Sequence, residues 1–532
     1  MQEIPNDFDA IIIGSGMGAL TTASLLSQIK GMKVLLLEKH WVLGGQTHEF
    51  KRKKYHFDVG VHYIGSMDAR CMPRQIFNYI TENNLKWNKM PHIFERFVYP
   101  DFTFDVPDNP KEYKSKLISQ FPEEEDSINT YFNDVRLAKK WMEYHYATSF
   151  QKPLMKFIAK FSEPKGGKEL ALMITKDYVE KRFKNKQLQA VVCSQWGDFG
   201  LPPSKSAFGM HSLIVNHYLY GGFYPEGGAK KIAEYVIPTI EKNGGKLLVN
   251  HDVDEIIIKN KKAVGVRVKE KHGKNFTEKT YNAPIIISST GFHSTFNKLV
   301  KEPVSFKEKI NKLSGGMSAI SLYVGLKSDP STLGVKGENY WIANSYDHDE
   351  TYNNRNSILT GEVNNCYLSF PTLKEQNNEN HTAEIVTFAD FSSFEKWKDL
   401  PWKRRGEEYE EVKKRISEGL LDCVEKQHPG FKELVSFHEL STPLTMESFT
   451  STHKGRMYGL AHTPERFNSD WIKPQTPFKG LYITGGDICT TGVVGALMGG
   501  VATASVIFGT FGFAKNLYQI KKYNTTLQKA DS

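Results

Sequence analysis

The chain has 532 residues, more than one hydrophobic core usually supports, so we expect two or more domains. Hydrophobic residues make up 39% of it and charged residues 24%, a composition that excludes a disordered or fibrous protein. The 69 lysines and arginines outnumber the 60 acidic residues, an excess too diffuse to indicate nucleic-acid binding, although it permits attraction to anionic lipids.

The chain opens with "MQEIPNDFDAIIIG", which is acidic and polar and lacks the basic and apolar regions of a signal peptide. The five cysteines are far apart and form no CxxC pair, which excludes a disulfide framework, a zinc site and a dithiol redox centre. A reducing compartment is the simplest interpretation, so we expect a cytoplasmic protein.

The segment "DFDAIIIGSGMGALTTASLLSQIKGMKVLLLEKH" carries the strongest local signal. "DAIII" is a short β-branched run, as expected of a buried parallel strand. "GSGMGA" fits GxGxxG/A, with Gly14 for the tight turn, Gly16 for close approach of a pyrophosphate and Ala19 for helix packing. The helix that follows directs its amides at the phosphates. We place Gly18 in the same cofactor-binding set.

The second strand of this segment, "KVLLLE", ends in an acidic residue. Glu38 lies about 20 residues past the glycines, where the ribose-binding carboxylate of a dinucleotide fold belongs. A carboxylate there disfavours a 2′-phosphate, so the predicted nucleotide is FAD or NAD rather than NADP. Lys39, the next residue, is included in the cofactor-binding set.

The middle of the chain predicts insertions into a nucleotide-binding domain. Residues 105–220 are rich in lysine, aromatic residues and helical spacing, and "KPLMKFIAKF" (152–161) predicts an amphipathic helix on a core or on a membrane surface. Residues 224–300 return to α/β character, with strands at "KLLVNHDVDEIII", "KAVGVRV" and "NAPIIISSTG". A second inserted piece, with strands at "SAISLYVGLK" and "AEIVTFADF", follows over residues 301–450.

These segments predict an α/β protein with a discontinuous cofactor domain and a substrate domain built around it. The predicted cofactor domain comprises 1–104, 221–300 and 451–532, and the predicted substrate domain comprises 105–220 and 301–450. A second GxGxxG after a strand was not found, so we expect no separate nicotinamide domain.

Near the C-terminus, residues 488–514 contain no charged residue and no histidine. The stretch is long enough to cross a bilayer, for which about 20 apolar residues suffice. However, Asp487 stands at its entrance and six glycines interrupt it. We therefore predict a buried helix whose start faces the cofactor, with Gly499 and Gly500 allowing close backbone packing. The far end, "FGTFGFAKNLYQIKK", could also dip into one leaflet of a membrane.

Several segments together resemble the retinol saturases, within the carotenoid isomerase and bacterial phytoene desaturase family of flavoproteins. They are "DAIIIGSGMGAL", "FDVGVHYIG", "PEGGAKKIAEYV", "IIISSTGFHSTFNKL", "STPLTMESFTSTHKGRMYGL" and "GLYITGGDICTTGVVGALMGG", and the resemblance runs nearly end to end. It implies a Rossmann-like FAD-binding domain of the GR2 type, shared with amine oxidases, with an interpolated α+β substrate domain. It also implies action on a hydrophobic conjugated polyene, a retinoid or carotenoid, and peripheral membrane contact.

The resemblance assigns further cofactor-binding residues. In that family a glycine pair runs beside the pyrophosphate and a valine backbone meets the adenine, which here assigns Gly44, Gly45 and Val253. The C-terminal turn and helix start face the flavin. The residues placed there are Gly486, Asp487, Gly492, Val493 and Val494.

Saturating a carbon–carbon double bond requires a hydride from flavin N5 and a proton from an acid. His62 and Tyr63, in the segment expected to border the flavin ring, are the first candidates for the acid, followed by Glu447, His453 and Tyr458. Each could instead be a hydrogen-bonded structural residue.

Five aromatic residues could line a polyene tunnel or belong to the core. They are Trp196, Phe199, Phe208, Tyr220 and Phe223.

Several alternatives stay open. Saturation, desaturation and cis–trans isomerisation use one cofactor site, so the sequence does not separate them, and NAD(P)H is a possible external electron donor. An amine-oxidase-like enzyme would require an aromatic cage near the C-terminal motif, and "GGDICTTGVV" contains no aromatic residue. A non-catalytic lipid-binding protein of the GDP-dissociation-inhibitor type is opposed by retention of Glu38, Gly44, Gly45 and Asp487.

Overall fold

The structure, a computed structural model, describes residues 7–151, 153–273, 275–315, 317–375 and 379–530. Its first sheet is parallel and five-stranded, and "AIII" and "VLLL" form two of its fully buried strands. In spatial order the strands are Leu481–Ile483, Ile285–Ser288, Ala10–Ile13, Val34–Leu37 and Lys246–Leu248. This is the Rossmann-like α/β unit that the sequence predicts.

Alternate residues of the central strand pack into different clusters, because side chains alternate along a strand. Ala10 and Ile12 pack among the helices on one face, whereas Ile11 and Ile13 contact a three-stranded antiparallel sheet on the other. The strands of that smaller sheet are His251–Lys259, Lys262–His272 and Asn275–Asn282. Both faces of the parallel sheet are therefore covered, which explains why its strands are continuously apolar.

The second large sheet of the protein is mixed and has seven strands. In spatial order its strands are Val435–Ser441, Ser318–Leu326, Thr382–Ala389, Asn365–Ser369, Asn339–Ala343, Ile93–Tyr99 and Phe102–Pro107. Two further hairpins pair Glu49–Arg52 with Tyr55–Asp58 and Trp87–Lys89 with Phe223–Pro225. The strands over 93–107 belong to this second sheet, so we propose that the cofactor domain gives way to the substrate domain near residue 92, earlier than the predicted 104.

Helices surround the two sheets. The α-helices of the described residues are Met17–Lys30, Met72–Ile80, Pro110–Gln120, Glu125–Ser149, Pro153–Ala159, Gly167–Ala171, Thr175–Arg182, Lys186–Cys193, Phe208–Tyr218, Lys230–Glu241, Gly291–Ser294, Lys307–Leu313, His348–Asn353, Pro371–Lys374, Glu407–Gln427, Phe431–Leu434, Pro443–Thr450, Pro464–Phe467, Gly492–Phe508 and Gly512–Ala530. Short 3₁₀ or π turns are Gly45–Thr47, Pro122–Glu124, Lys160–Ser162, Ser194–Asp198, Thr295–Leu299, Pro330–Leu333, Arg355–Thr360, Phe391–Trp397 and His453–Gly455.

The apolar C-terminal stretch forms a buried helix, as predicted, which packs against the first helix of the chain. A Cβ atom on Gly499 would lie 2.1 Å from the carbonyl oxygen of Gly485, and one on Gly500 would lie 2.8 Å from that of Gly18. The glycines therefore let backbones meet directly. Within the described ranges, the structure contains no helix with the length and apolarity needed to cross a membrane.

Candidate cofactor site and active site

A cavity of about 1140 Å³ opens at the carboxyl ends of the parallel strands, where open α/β sheets bind their ligands. Ordinary small-molecule sites occupy about 300–1,000 Å³, so this cavity is large. Most of the predicted cofactor residues line it. They are Gly14, Gly16, Gly18, Glu38, Lys39, Gly45, Val253, Gly486, Asp487, Gly492 and Val493.

Two helices begin at this cavity, and their first glycines border open space. A Cβ atom on Gly16 or on Gly492 would meet no atom within 4 Å. Neither helix start has a side-chain cap, and the buried hydroxyl of Thr491 has no hydrogen-bond partner among the described residues. Helix N-termini with free amides attract anionic groups such as phosphates. The residues present thus fit a dinucleotide diphosphate.

Glu38 is held at the end of the second parallel strand by donors of the glycine loop. Its Oε2 atom accepts hydrogen bonds from the backbone N–H of Ser15 at 2.9 Å and from the Ser15 hydroxyl at 2.6 Å. Oε1 accepts the backbone N–H of His40 at 2.8 Å. The Ser15 hydroxyl also accepts the N–H of Gly44 at 3.0 Å. Ser15 therefore joins the carboxylate to both glycine segments, a role that the motif did not reveal.

Asp487 links three segments around the cavity. Its carboxylate accepts the N–H of Phe292 at 2.8 Å and the N–H of Leu460 at 2.8 Å. A Cβ atom on Gly291 would lie 2.7 Å from one carboxylate oxygen, and one on Gly459 would lie 2.2 Å from the other. Both glycines have positive φ, so the approach of Asp487 depends on glycine at each place.

Sequence reasoning missed Arg466, which binds the loop that contains Asp487. This buried guanidinium donates to the carbonyl oxygens of Leu460, Gly486, Asp487 and Cys489. Four carbonyl acceptors around one cation stabilise the loop at the C-terminal helix start. Nothing in "TPERF" distinguishes this arginine from a surface residue, so only the fold reveals it.

His62 lines the cavity, as expected of a group that acts there. Its Nδ1 atom lies 2.9 Å from Oε2 of Glu384, and its carbonyl oxygen accepts a hydrogen bond from Lys374 at 2.7 Å. Burial lowers the pKa of His62 to about 3, and Lys374 acts in the same direction. Burial also raises the pKa of Glu384 and lowers that of Lys374 to about 7. His62 is therefore a neutral imidazole beside the buried Glu384 carboxyl and the buried Lys374 amino group.

The other acid candidates divide into two groups. His453 and Tyr458 line the cavity, and His453 stacks on His293 with ring centroids 3.7 Å apart. Burial, with Arg456 acting in the same direction, lowers the pKa of His453 to about 3, so it is neutral near pH 7. Glu447 lies outside the lining and accepts the N–H of Lys454 at 3.1 Å.

Tyr63 also lies outside the cavity lining. The tyrosine is buried, donates a hydrogen bond to Asp198 at 2.8 Å and stacks on Tyr218. Burial raises its pKa well above the ordinary value. We therefore propose that Tyr63 packs behind the site and does not transfer a proton.

Three predicted cofactor residues do not line the cavity and pack behind the residues that do. Ala19 and Gly44 are buried, and Val494 packs against the apolar cluster of the parallel sheet. The five aromatic residues considered for a tunnel do not line the cavity, because four are buried in core clusters and Tyr220 is 56% exposed. Four of the five therefore belong to the core, and Tyr220 lies in neither the core nor the cavity lining.

The fold and the glycine cradle define a Rossmann-like protein with a site for a dinucleotide or flavin. The sequence model of the NAD(P)-binding Rossmann-like domain family matches residues 12–80. Among solved structures, a putrescine oxidase variant superposes with a TM-score of 0.62 at 14% identity, covering 94% of this chain and 98% of that one. The predicted amine-oxidase-like fold class is thus confirmed.

Sequence relatives identify the family. The chain is 34% identical to the all-trans-retinol 13,14-reductase of Danio rerio, over 95% of this chain and 86% of that protein. It is 28% identical to prolycopene isomerase 2 of an Oncidium hybrid cultivar, over 96% of this chain and 86% of that protein. The chain therefore belongs to the all-trans-retinol 13,14-reductase family, and the resemblance drawn from its motifs is confirmed.

Proposed function

We propose that the protein is an FAD-dependent oxidoreductase that saturates a carbon–carbon double bond of a hydrophobic conjugated polyene, a retinoid or carotenoid. The observation that carries this proposal is the cavity of about 1140 Å³, which adjoins two uncapped helix starts and contains Glu38 and His62. Its volume exceeds that of ordinary single-ligand sites and leaves room for a substrate beside a cofactor.

The cofactor-binding roles follow from chemistry and position. The amides that follow Gly16 and Gly492 would hold the diphosphate, and Glu38 would accept hydrogen bonds from a ribose. Val253, from the strand next to Glu38, would border the adenine. When bound, reduced FAD supplies the hydride. The same proposal includes NAD(P)H as the external donor that reduces the FAD.

The chain's own residues supply the remaining functions. Asp487 and Arg466 keep the loop before the C-terminal helix in place, so the cavity wall is ordered before a ligand enters. His62 presents the exposed part of its ring to the cavity and is the group from which a proton can reach a substrate carbon. The buried surroundings exclude bulk water from that proton.

A reduction assay tests the activity. We expect protein that has been reduced anaerobically with dithionite to convert all-trans-retinol into a dihydro product, with the flavin reoxidised. The control contains free reduced FAD in place of the protein and should leave retinol unchanged. Products are followed by mass spectrometry, and a mass gain of two hydrogens is the expected result. Unchanged retinol and unchanged carotenoid substrates would contradict the proposal.

Isomerisation is a second candidate, favoured by the likeness to a prolycopene isomerase. A polyene of unchanged mass but altered double-bond geometry, formed without net flavin reoxidation, would select this activity. The same reaction mixtures distinguish the two candidates by chromatography.

We also propose peripheral membrane contact at the mouth of the cavity. Trp41 and Trp402 line the cavity, are 57% and 39% exposed, and both contact Phe449 edge-on. Lys403 lies over the Trp402 ring at 4.6 Å. Tryptophan beside lysine suits the headgroup region, from which a lipid-soluble substrate would enter.

A vesicle assay tests this surface. We expect Trp41→Ser with Trp402→Ser to reduce co-sedimentation with vesicles of anionic phospholipid several-fold. The matched control is Phe161→Ser, which removes an aromatic side chain that is 86% exposed and does not line the cavity. If the Phe161 variant loses vesicle binding and the double variant keeps it, the contact lies on the predicted amphipathic helix instead.

A further inference from the structure

The carboxyl of Glu384 lies beside the imidazole of His62, a candidate acid that lines the main cavity. It lies on the strand Thr382–Ala389 and is fully buried. Its Oε2 atom is 2.9 Å from His62 Nδ1, and its Oε1 atom accepts the N–H of Asp58 at 2.9 Å. No lysine or arginine of the described residues hydrogen-bonds to this carboxyl. A buried carboxyl without a bonded cation favours its neutral, proton-bearing form.

Lys374 holds His62 without using the Glu384 carboxyl. Its ammonium group donates to the His62 carbonyl at 2.7 Å, to Asn339 at 2.6 Å and to Ser369 at 2.7 Å, so all three protons are engaged. Nδ1 of the imidazole and Oε2 of Glu384 are 2.9 Å apart, and neither atom has another hydrogen-bond partner among the described residues. Nδ1 is buried whereas 17% of the side chain is exposed, so the rest of the ring faces the cavity that His62 lines.

A second, smaller cavity lies beside Asp58, whose N–H donates to Glu384. Its volume is about 140 Å³, and Asp58, Tyr224 and the half-exposed His56 line it. This volume and its polar lining suit water molecules. Asp58 accepts a hydrogen bond from the Tyr224 hydroxyl, and its other carboxylate oxygen has no hydrogen-bond partner within the described residues. Glu49 lines both cavities.

We propose that Glu384 and His62 form a proton relay that supplies the substrate carbon in the main cavity, refilled from the small cavity at Asp58. The inference rests on the proposed function, which names reduced FAD as the hydride source. The His62 Nε2–H bond breaks as the new C–H bond forms, and Nδ1 accepts the proton of Glu384. The electron pair for that C–H bond comes from the π bond, whose other carbon receives the hydride. Glu384 ends as a carboxylate and regains its proton from water.

The charges around the cluster agree with this direction of transfer. Burial raises the pKa of Glu384, opposed by the Asp58 N–H and by Lys374, with Glu49 adding to the rise. Burial, Glu384 and Glu49 together raise the pKa of Asp58, opposed by the Tyr224 hydroxyl. Tyr323 also faces Glu384 and has a raised pKa. In the proposed relay the resting proton sits on Glu384, and His62 is neutral.

Infrared spectroscopy of the flavin-bound protein tests the resting state without turnover. We expect the wild type at about pH 6 to show a protonated-carboxyl C=O band that shifts in D₂O and is absent from Glu384→Gln. Glu95→Gln is the matched control. Glu95 is also fully buried, burial raises its pKa to about 7, and it does not line the cavity. The control should lose a different band. Identical spectra for the wild type and Glu384→Gln would overturn the relay.

Single-turnover kinetics test the transfer itself. General acids contribute about 10²–10⁴-fold, so we expect Glu384→Gln to slow oxidation of the reduced flavin by polyene at least about 100-fold. Glu95→Gln should stay within about threefold of the wild type. FAD content and the unfolding midpoint of each variant confirm that it is folded. For a variant that does not fold, Glu384→Asp replaces it and should restore the infrared band with a slower rate.

The two proposals fail in distinguishable ways. If the wild type binds FAD and reduces polyenes while Glu384→Gln does so at the same rate, the relay is wrong and the activity stands. If the wild type reduces no polyene, the proposed function fails, and the infrared band then shows whether Glu384 holds its proton. A missing band would reject the relay as well.

Discussion

Gly18→Ala is expected to destabilise the protein even before any cofactor is added. A Cβ atom at this position would lie 2.4 Å from Cα of Gly485 and 2.7 Å from its nitrogen, and 3.2 Å from the carbonyl oxygen of Ala496. All three neighbours are backbone atoms of the segment that begins the C-terminal helix, so no side chain can rotate away. Overpacking of this kind costs about 1–3 kcal/mol and sometimes more, and a backbone clash belongs at the upper end.

The measurement is the thermal unfolding midpoint of cofactor-free protein, with the wild type alongside. About 3 kcal/mol corresponds to a fall of roughly 6–12 °C for a domain of 150–250 residues. The matched control is Gly16→Ala, because a Cβ there meets nothing within 4 Å and the φ of Gly16 is negative. Gly16→Ala should unfold like the wild type yet bind FAD more weakly. Equal stability of Gly18→Ala and the wild type would contradict the close packing of the two helix starts.

Asp487→Ala is expected to have a comparably large effect for a different reason. The substitution leaves the buried N–H groups of Phe292 and Leu460 without their acceptor. Each unsatisfied buried group costs about 1–3 kcal/mol, so the free energy of unfolding should fall by about 2–6 kcal/mol. Since this carboxylate joins the loops on two sides of the cavity, FAD retention on purification should fall as well.

Two variants provide the controls for Asp487. Asp487→Asn keeps one acceptor oxygen, and we expect roughly half the loss of stability. Glu447→Ala removes a predicted acid candidate whose carboxylate accepts one N–H outside the cavity lining, and it should change stability by no more than about 1 kcal/mol. If cofactor-free Asp487→Ala unfolds at the same denaturant concentration as the wild type, the two hydrogen bonds do not hold the loops together.

The cofactor half of the fold could be predicted because its signals are local in sequence. The strand Ala10–Ile13, the glycine loop, the helix and Glu38 follow one another within 30 residues, and each has its own composition. The buried C-terminal helix could be predicted for the same reason, since its glycines and Asp487 stand together. The structure of these segments could be predicted without knowing which distant residues they contact.

The residues of the proposed proton relay could not be predicted as a group, because they lie on segments that are distant in sequence. His62 was found from its motif, but Glu384 lies much later, on a strand whose sequence was noted only for its β pattern. The signal available was an acidic residue within "AEIVTF", part of a strand that is buried at every position. Lys374 follows a proline in a four-residue helix and carries no such signal. Arg466 is likewise recognised only by the carbonyl groups around it.

We expect the two uncapped helix starts to hold the diphosphate of FAD, and analysis of the bound nucleotide measures this. Two samples are compared: protein purified without added flavin, and the same protein after incubation with FAD. Each sample is denatured, and the released nucleotide is identified by mass spectrometry and quantified per chain. The wild type should be yellow and release FAD at close to one equivalent per chain, and Gly16→Ala should release much less. A folded, colourless protein that takes up no FAD would contradict it.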